Sequence, residues 1–143
     1  MNLRKAEIED KKDILEVANL LHLDISDFVW NKDEYVTKQI KNGEYFLIER
    51  EGRIIGIISL RQRRDKMHIE TIAVRNGSRS EGIGTELIEF AKDFTKKKGF
   101  NILRAYSFYK YKSVDFYLNR GFILLSKPGV YNNHKYYRFE MKI

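Results

Sequence analysis

An apolar run that enters a glycine-containing turn and then an amphipathic pattern most constrains how this chain can fold. The run ends at Val74 and is rich in β-branched residues, which predicts a strand. After the turn, apolar side chains recur on one face of a helix, at Ile83, Leu87, Ala91 and Phe94. The turn itself contains Gly82 and Gly84. Residues 70–91 therefore predict a strand, a tight turn and a helix in direct succession.

A turn of this kind can bind a phosphate group. The first backbone N–H groups of a helix have no partner within the helix, and the helix dipole adds partial positive charge there. Gly82 and Gly84 lack a Cβ, so an anion can approach the backbone closely, and Arg79 adds a full charge. The alternative is an ordinary strand-to-helix turn whose glycines serve packing alone.

The spacing of the turn separates it from two common phosphate loops. It lacks the Gly-Lys-Ser/Thr ending of a P-loop, and Leu87 stands where the dinucleotide fingerprint needs a third glycine. The pattern Arg79-x-x-Gly82-x-Gly84 resembles the pyrophosphate loop of the GNAT superfamily of acyl-CoA-dependent N-acyltransferases. Residues 116–122, Phe-Tyr-Leu-Asn-Arg-Gly-Phe, are similar to that family's Phe-Tyr-x-x-x-Gly-Phe segment. The resemblance spans nearly the whole chain.

The order of the remaining patterns predicts a mixed sheet. The predicted strands are residues 3–8, 45–50, 53–60, 67–74, 100–108, 121–125 and 135–143. Predicted helices begin after Asp10, within 24–42, at Gly82 and within 112–120. The order β-α-α-β-β-β-α-β-α-β-β predicts an α/β (α+β mixed sheet) fold in one domain, residues 1–143. The resemblance implies a GNAT-like fold in which strands 67–74 and 100–108 splay apart.

Composition limits the class of protein and of partner. A chain of 143 residues with 43% apolar residues can form one domain with its own core. It has no cysteine, no apolar run that could span a bilayer and no visible secretory signal, so we expect a cytoplasmic protein without membrane contact. The formal charge of +7 indicates an anionic partner, either nucleic acid or a cofactor with several phosphates.

The resemblance implies acetyl-CoA as co-substrate and assigns residues to it. The backbone of Ile72, Ala73 and Val74 would pair with the pantetheine arm. The pyrophosphate loop would comprise Arg79, Ser80, Glu81, Gly82, Ile83, Gly84 and Thr85. Lys110, Ser113 and Phe116 would lie near the cofactor on the later segment. Here the chain departs from the family, because Lys110 replaces an Asn and Ser113 replaces an Ala, and the lysine could contact a phosphate instead.

Acetyl transfer to an amine suggests two catalytic side chains. Tyr117, at the position of the family's tyrosine near the sulfur, would donate a proton to the departing thiolate; the alternative is a packing tyrosine. Glu70 would take the amine proton, directly or through water; the alternative is an exposed glutamate paired with Arg or Lys. His68, two residues earlier on the same strand, is a weaker candidate. The three histidines lack ligand-like spacing, so no metal is expected.

The predicted reaction transfers an acetyl group to a primary amine of a small molecule or a peptide, including a peptide N-terminus. Aromatic residues that could border the acceptor are Phe28, Trp30, Tyr131, Tyr136 and Tyr137. The charge of +7 disfavours a polyamine, unless the acidic residues of 24–34 reverse it locally. The alternative is a non-catalytic acyl-CoA-binding domain or a basic nucleic-acid-binding domain, although no nucleic-acid motif is present. A homodimer is left open.

Overall fold

The computed structural model describes residues 2–79 and 81–143. Within these residues the elements are β1 Asn2–Lys5, α1 Lys11–Ala18, α2 Asp33–Lys41, β2 Tyr45–Arg50, β3 Arg53–Arg63, β4 Lys66–Val74, α3 Ile83–Lys97, β5 Ile102–Phe108, α4 Val114–Leu118, β6 Ile123–Leu124, β7 Gly129–Tyr131 and β8 His134–Lys142. The predicted order is confirmed, and the structure adds the short strand β7. The helix predicted within 24–42 is confined to α2.

The strands form an open mixed sheet in the order β1-β2-β3-β4-β5-β8-β6, and β7 also pairs with β8. β1 with β2, β2 with β3, and β5 with β8 are antiparallel, whereas β4 and β5 run parallel. The parallel register contains three pairs and ends at Ile69 and Ala105. β4 continues beyond this register to Val74 and β5 to Phe108. This is the mixed α/β fold that the sequence predicts.

The chain divides into two compact units, which we describe separately. Unit 1 comprises Met1–Leu60 and Glu70–Leu87, and unit 2 comprises Arg61–Ile69 and Ile88–Ile143. The core of unit 1 is a cluster of buried apolar side chains from α1, α2 and the strands, including Ile14, Val17, Val36, Ile40, Tyr45, Leu47, Ile57 and Ala73. That all residues form one domain stays a prediction.

The centre of unit 2 is the antiparallel pair β5–β8, which is in register over seven positions. Leu103, Ala105 and Phe139 from these strands are buried. Tyr117 of α4 stacks on the ring of Phe139, with 4.5 Å between the ring centroids. The short helix is therefore attached to the sheet by an aromatic stack.

The hairpin β7–β8 explains the strand that was not predicted. Asn132 and Asn133 form its two-residue turn with φ of 44° and 66°, the left-handed region that a type I′ hairpin turn requires. Gly129 lies opposite Tyr136, and a Cβ on Gly129 would come within 2.1 Å of the Tyr136 ring. Glycine therefore makes room for the tyrosine. The three residues of β7 are too few to show a strand pattern in the sequence.

Two buried tyrosines and one half-buried tyrosine predict a loss of stability at alkaline pH. Burial raises the pKa of the Tyr45, Tyr111 and Tyr117 phenols above the ordinary value of about 10. The folded state then keeps protons that the unfolded chain releases. Its stability is therefore fully present below about pH 10 and falls as the pH rises further. We expect the free energy of unfolding in urea to decrease steadily from about pH 10 to about pH 11.5.

Two single variants test whether burial of phenols causes this loss of stability at alkaline pH. Tyr45→Phe removes a phenol whose residue is 0% exposed and should make the pH dependence shallower. Tyr109→Phe is the matched control, because Tyr109 is 39% exposed. Equal pH dependence in the two variants would show that burial of the Tyr45 phenol does not cause the loss.

Candidate functional site

In unit 1, the predicted phosphate loop follows the end of β4. The chain leaves Val74, forms a 3₁₀ turn over Asn76–Ser78 and enters α3 at Ile83. Gly82 has φ of +78°, so glycine is favoured here by the backbone conformation itself. A Cβ on Gly82 would meet nothing within 4 Å. Ser80, predicted as part of the loop, lies outside the described residues.

The first turn of α3 presents backbone N–H groups. The Glu86 N–H donates to the Gly82 carbonyl over 3.1 Å and so makes an early bond of the helix. In the described part of the chain, no side chain accepts a hydrogen bond from the N–H groups of Gly82, Ile83 or Gly84. These groups and the dipole of a 15-residue helix suit an anion.

The charged side chains of the loop are held by their neighbours. The exposed Arg79 donates from Nε to the Val74 carbonyl over 3.2 Å. Arg50 of β2 donates from Nη2 to Glu81 over 2.7 Å and to Ser78 over 3.3 Å. The hydrogen bond from Arg50 lowers the pKa of the Glu81 carboxyl. The Glu81 carboxylate is thus engaged with Arg50, so its part in binding an anion would come from the main chain.

Gly56 of β3 lets the start of α3 pack against the sheet. A Cβ on Gly56 would lie 2.8 Å from Cγ2 of Ile83 and 3.3 Å from Leu87. The register between β2 and β3 also shifts beside Gly56, between Ile48 and Glu49. Glycine at this position therefore fixes how closely the first turn of α3 approaches β3.

The last residues of β4 are those whose backbone is predicted to pair with the cofactor. Ala73 is buried, and Ile72 and Val74 are half-buried. The parallel register of β4 ends at Ile69, before these three residues. Arg75, the next residue, bonds from its N–H to the Ile55 carbonyl over 2.8 Å. The backbone at 72–74 is therefore fixed in place next to the loop.

The two candidate bases lie in different surroundings. The half-buried Glu70 accepts a hydrogen bond from the Tyr35 hydroxyl, with 3.3 Å between Oη and Oε2. His68 is only 7% exposed, and its ring meets the edge of Tyr106 at a centroid distance of 5.3 Å. Tyr35 was not predicted as a site residue. No local pattern could have revealed it, because the contact joins positions 35 residues apart.

In unit 2, Tyr117 is packed among aromatic rings. It is 3% exposed, stacks on Phe139 and meets Phe122 edge-on at 5.3 Å. Burial raises the pKa of the Tyr117 phenol, so the group stays protonated across neutral pH. A buried, protonated phenol can act as a proton donor.

The other predicted residues of this segment differ in placement. Lys110 is exposed in the 3₁₀ turn Tyr109–Tyr111, before α4. Ser113 precedes α4, and its hydroxyl is hydrogen-bonded to that of Ser107. The structure therefore brings Ser113 to the start of α4 and leaves Lys110 outside the helix.

One face of the Phe116 ring is covered by an arginine. The Arg120 guanidinium lies 3.9 Å from the ring centroid. Arg120 also donates from Nη1 to the Phe116 carbonyl over 2.8 Å. A cofactor contact of Phe116 would therefore have to use the rest of the ring. Arg120 belongs to the predicted motif segment, but this contact was not predicted.

Two of the aromatic residues predicted to border the acceptor point in opposite directions. Tyr136 and Tyr137 are consecutive in β8 and so point to opposite sides of the sheet. Tyr136 lies beside Tyr106, with ring centroids 5.2 Å apart, whereas Tyr137 stacks on Tyr109 at 4.1 Å. That both residues border the acceptor stays a prediction.

The side of β8 that carries Tyr136 holds further rings. Phe108 contacts both Tyr136 and Tyr131, with centroid distances of 6.2 Å in each case. Tyr106 and Phe108 are therefore aromatic candidates that the sequence did not single out.

In unit 1, Phe28 and Trp30 contact each other edge-to-face at 5.1 Å, and Phe28 is buried.

The described residues contain neither a candidate metal cluster nor a helix that could span a membrane. Residues 2–79 and 81–143 hold no group of three or more His, Cys, Asp or Glu side chains placed to bind a metal ion. None of the helices described is long and apolar enough to cross a membrane.

Comparison with known proteins places the fold. The acetyltransferase (GNAT) family model matches residues 14–122. Similar solved structures include the PaiA N-acetyltransferase of Thermoplasma acidophilum in complex with coenzyme A, with 21% identity, coverage of 99% of this chain and 98% of that chain, and a TM-score of 0.79. Ard1 of Thermoplasma volcanium has 16% identity, coverage of 99% and 97%, and a TM-score of 0.83.

A third similar structure is the ribosomal-protein-alanine N-acetyltransferase of Brucella melitensis, with 17% identity, coverage of 100% of both chains and a TM-score of 0.79. A search of curated proteins found no significant match. At these identities the structural likeness concerns the fold alone, and it confirms the GNAT-like architecture that the sequence predicts.

Proposed function

Because the chain belongs to the GNAT family of acetyltransferases, we propose that it transfers the acetyl group of acetyl-CoA to a primary amine. The observation that carries the proposal is the start of α3, where the N–H groups of Gly82, Ile83 and Gly84 have no side-chain acceptor among the described residues. A Cβ on Gly82 would meet nothing within 4 Å, so an anion can approach the backbone there. The residues present therefore fit acetyl-CoA as the co-substrate.

The proposed chemistry is direct transfer, without a covalent enzyme intermediate. Acetyl-CoA supplies a thioester, whose C–S bond breaks as the C–N bond to the amine forms. Glu70 takes the proton that the attacking amine loses, and His68 is the weaker alternative. Tyr117 donates its phenolic proton to the sulfur that leaves. The two proton transfers leave an amide, a free thiol, a protonated Glu70 and a Tyr117 phenolate, and proton exchange with water restores both side chains.

The acceptor is proposed to be a primary amine of a small molecule or of a peptide N-terminus. Aromatic side chains near Tyr136 favour an acceptor with an apolar body, because rings bind apolar groups and cations. The names of two similar structures refer to N-acetyltransferases, one of them acting on a ribosomal-protein alanine. A polycation is less suited to a chain with a formal charge of +7.

An amine panel tests the function. Release of free thiol from acetyl-CoA is followed with peptides bearing a free N-terminus, aralkylamines, amino acids and spermidine. Thermal unfolding is measured in parallel with acetyl-CoA and with a single-stranded oligonucleotide, since a ligand of the native state raises the midpoint. We expect a raised midpoint with acetyl-CoA and thiol release with at least one amine. Stabilisation by acetyl-CoA without any transfer would instead favour a non-catalytic binding domain.

Replacing Glu70 with glutamine tests the base. Glutamine keeps the shape of the side chain and can still accept the Tyr35 hydrogen bond, but it cannot take a proton. We expect kcat/KM for the amine to fall by about 100-fold, at the lower end of the range of general-base effects. An unaltered kcat/KM would move the role to His68 or water.

A further inference from the structure

We propose that Tyr35 positions the carboxylate of Glu70 for proton transfer, an inference that rests on the proposed role of Glu70 as base. The Tyr35 hydroxyl donates to Oε2 of Glu70 over 3.3 Å. Both residues are half-buried, so the contact is partly shielded from water. Tyr35 is the third residue of α2, and Glu70 lies on β4. The hydroxyl therefore reaches the base from a different element.

The position of Tyr35 is fixed by the packing of α2. Val36 and Ile40 of this helix belong to the core cluster of unit 1, which also contains Ala73 of β4. Gln39, one turn after Tyr35, donates from Nε2 to the Ser59 hydroxyl over 3.3 Å. Helix and strand thus share one core, and the distance from Tyr35 to Glu70 is set by packed side chains on both elements.

A hydrogen bond at Oε2 restricts the direction of Oε1. A glutamate side chain rotates about three bonds before its carboxylate, and a base must meet its proton within hydrogen-bonding distance. Fixing one oxygen aims the other. Misplacement of a catalytic group by about 1 Å can cost up to about 100-fold in rate. Loss of the Tyr35 hydroxyl should therefore slow the proton-transfer step more than it weakens binding.

The competing explanation is a purely structural bond between α2 and β4. Such a bond would affect stability and would act on the rate independently of Glu70. A positioning bond acts through Glu70, so its loss has no further effect once the base is gone. A double-mutant cycle with Tyr35→Phe and Glu70→Gln separates the two explanations.

The experiment measures kcat, KM for acetyl-CoA and the unfolding midpoint for the full chain and four variants. The acceptor is the best amine of the panel described above. Tyr35→Phe should lower kcat about 10-fold and change KM for acetyl-CoA by less than about twofold. In the Glu70→Gln background, Tyr35→Phe should change kcat by less than about twofold.

Tyr45→Phe is the matched control, since it also removes one phenol hydroxyl from the core of unit 1. The Tyr45 hydroxyl interacts with the Thr71 side chain rather than with Glu70, so its removal should leave kcat unchanged. Equal losses of kcat in Tyr35→Phe and Tyr45→Phe would overturn the proposal. So would a double variant in which Tyr35→Phe lowers kcat as much as it does in the wild type.

Crystal structures of the wild type and of Tyr35→Phe provide a readout that needs no acceptor. We expect the Glu70 carboxylate to change its rotamer or to lose a single ordered position in the variant. An unchanged Glu70 conformation would overturn the positioning role. If Tyr35→Phe moves Glu70 but Glu70→Gln leaves turnover intact, the contact is real and the proposed base role is the part that fails.

Discussion

Replacement of Tyr117 by phenylalanine should lower kcat by about 100-fold and leave the dissociation constant of acetyl-CoA within about twofold of the wild type. The change removes only the hydroxyl, so the ring stack on Phe139 and the contact with Phe122 can persist. Without a proton donor the reaction must release a thiolate, which is less stable than the thiol. The substitution should therefore lower turnover rather than cofactor binding. Thiol release under saturating acetyl-CoA and calorimetric binding measure the two quantities separately.

The pH dependence of the wild type adds a second check on Tyr117. Burial raises the pKa of the Tyr117 phenol above the ordinary tyrosine value of about 10. The phenol therefore keeps its proton throughout the neutral pH range. A fall of kcat between about pH 8 and about pH 9 therefore could not come from ionisation of Tyr117.

The matched control for Tyr117 is Tyr109→Phe. Tyr109 also stacks on a β8 ring, that of Tyr137, but it is 39% exposed. We expect this variant to retain the wild-type kcat. Turnover that is equally unaffected in Tyr117→Phe would remove Tyr117 from the mechanism and return it to the role of a packing residue.

The parts of the site that the sequence could predict are those encoded locally. The run ending at Val74, the turn with Gly82 and the apolar face of α3 lie within one short segment, and each leaves its own periodic or turn signal. The order of strands and helices followed from the same signals. Only the resemblance, and not periodicity, led to the expectation that β4 and β5 splay apart.

The parts that escaped prediction depend on contacts between distant positions. The hydrogen bond from Tyr35 to Glu70 joins residues 35 apart, and the bond from Arg50 to Glu81 joins residues 31 apart. Neither contact leaves a trace in local spacing. The opposite orientation of Tyr136 and Tyr137 follows from strand alternation, which could have been applied to residues 135–143 once that strand was predicted.

The structure explains further why glycine stands at position 82. The sequence suggested that the missing Cβ allows an anion to approach, and the open space above Gly82 agrees with this. The backbone adds a second requirement, because φ of +78° is unfavourable for residues with a side chain. At Gly56 the requirement differs, since there a Cβ would meet Ile83 at 2.8 Å. The two glycines thus serve separate needs, one in the loop and the other in β3.

Substitution of Gly82 by valine should raise the dissociation constant of acetyl-CoA by about 100-fold. A β-branched residue cannot easily keep φ of +78°, so the turn must relax and redirect the N–H groups that follow it. Losing about two hydrogen bonds to a charged group, at about 1.5 kcal/mol each, corresponds to roughly this factor. Calorimetric titration with acetyl-CoA measures the change, and the unfolding midpoint reports any general damage.

Gly77→Ala is the matched control in the same connection. Gly77 lies in the 3₁₀ turn Asn76–Ser78, and a Cβ there meets nothing within 4 Å. Its φ also lies outside the left-handed region, so alanine should be tolerated and binding should stay within about twofold of the wild type. Equal binding by Gly82→Val and Gly77→Ala would mean that the amides at the start of α3 do not hold the diphosphate. The positive charge of Arg79 would then have to explain any affinity for acetyl-CoA, and the turn would be a packing feature only.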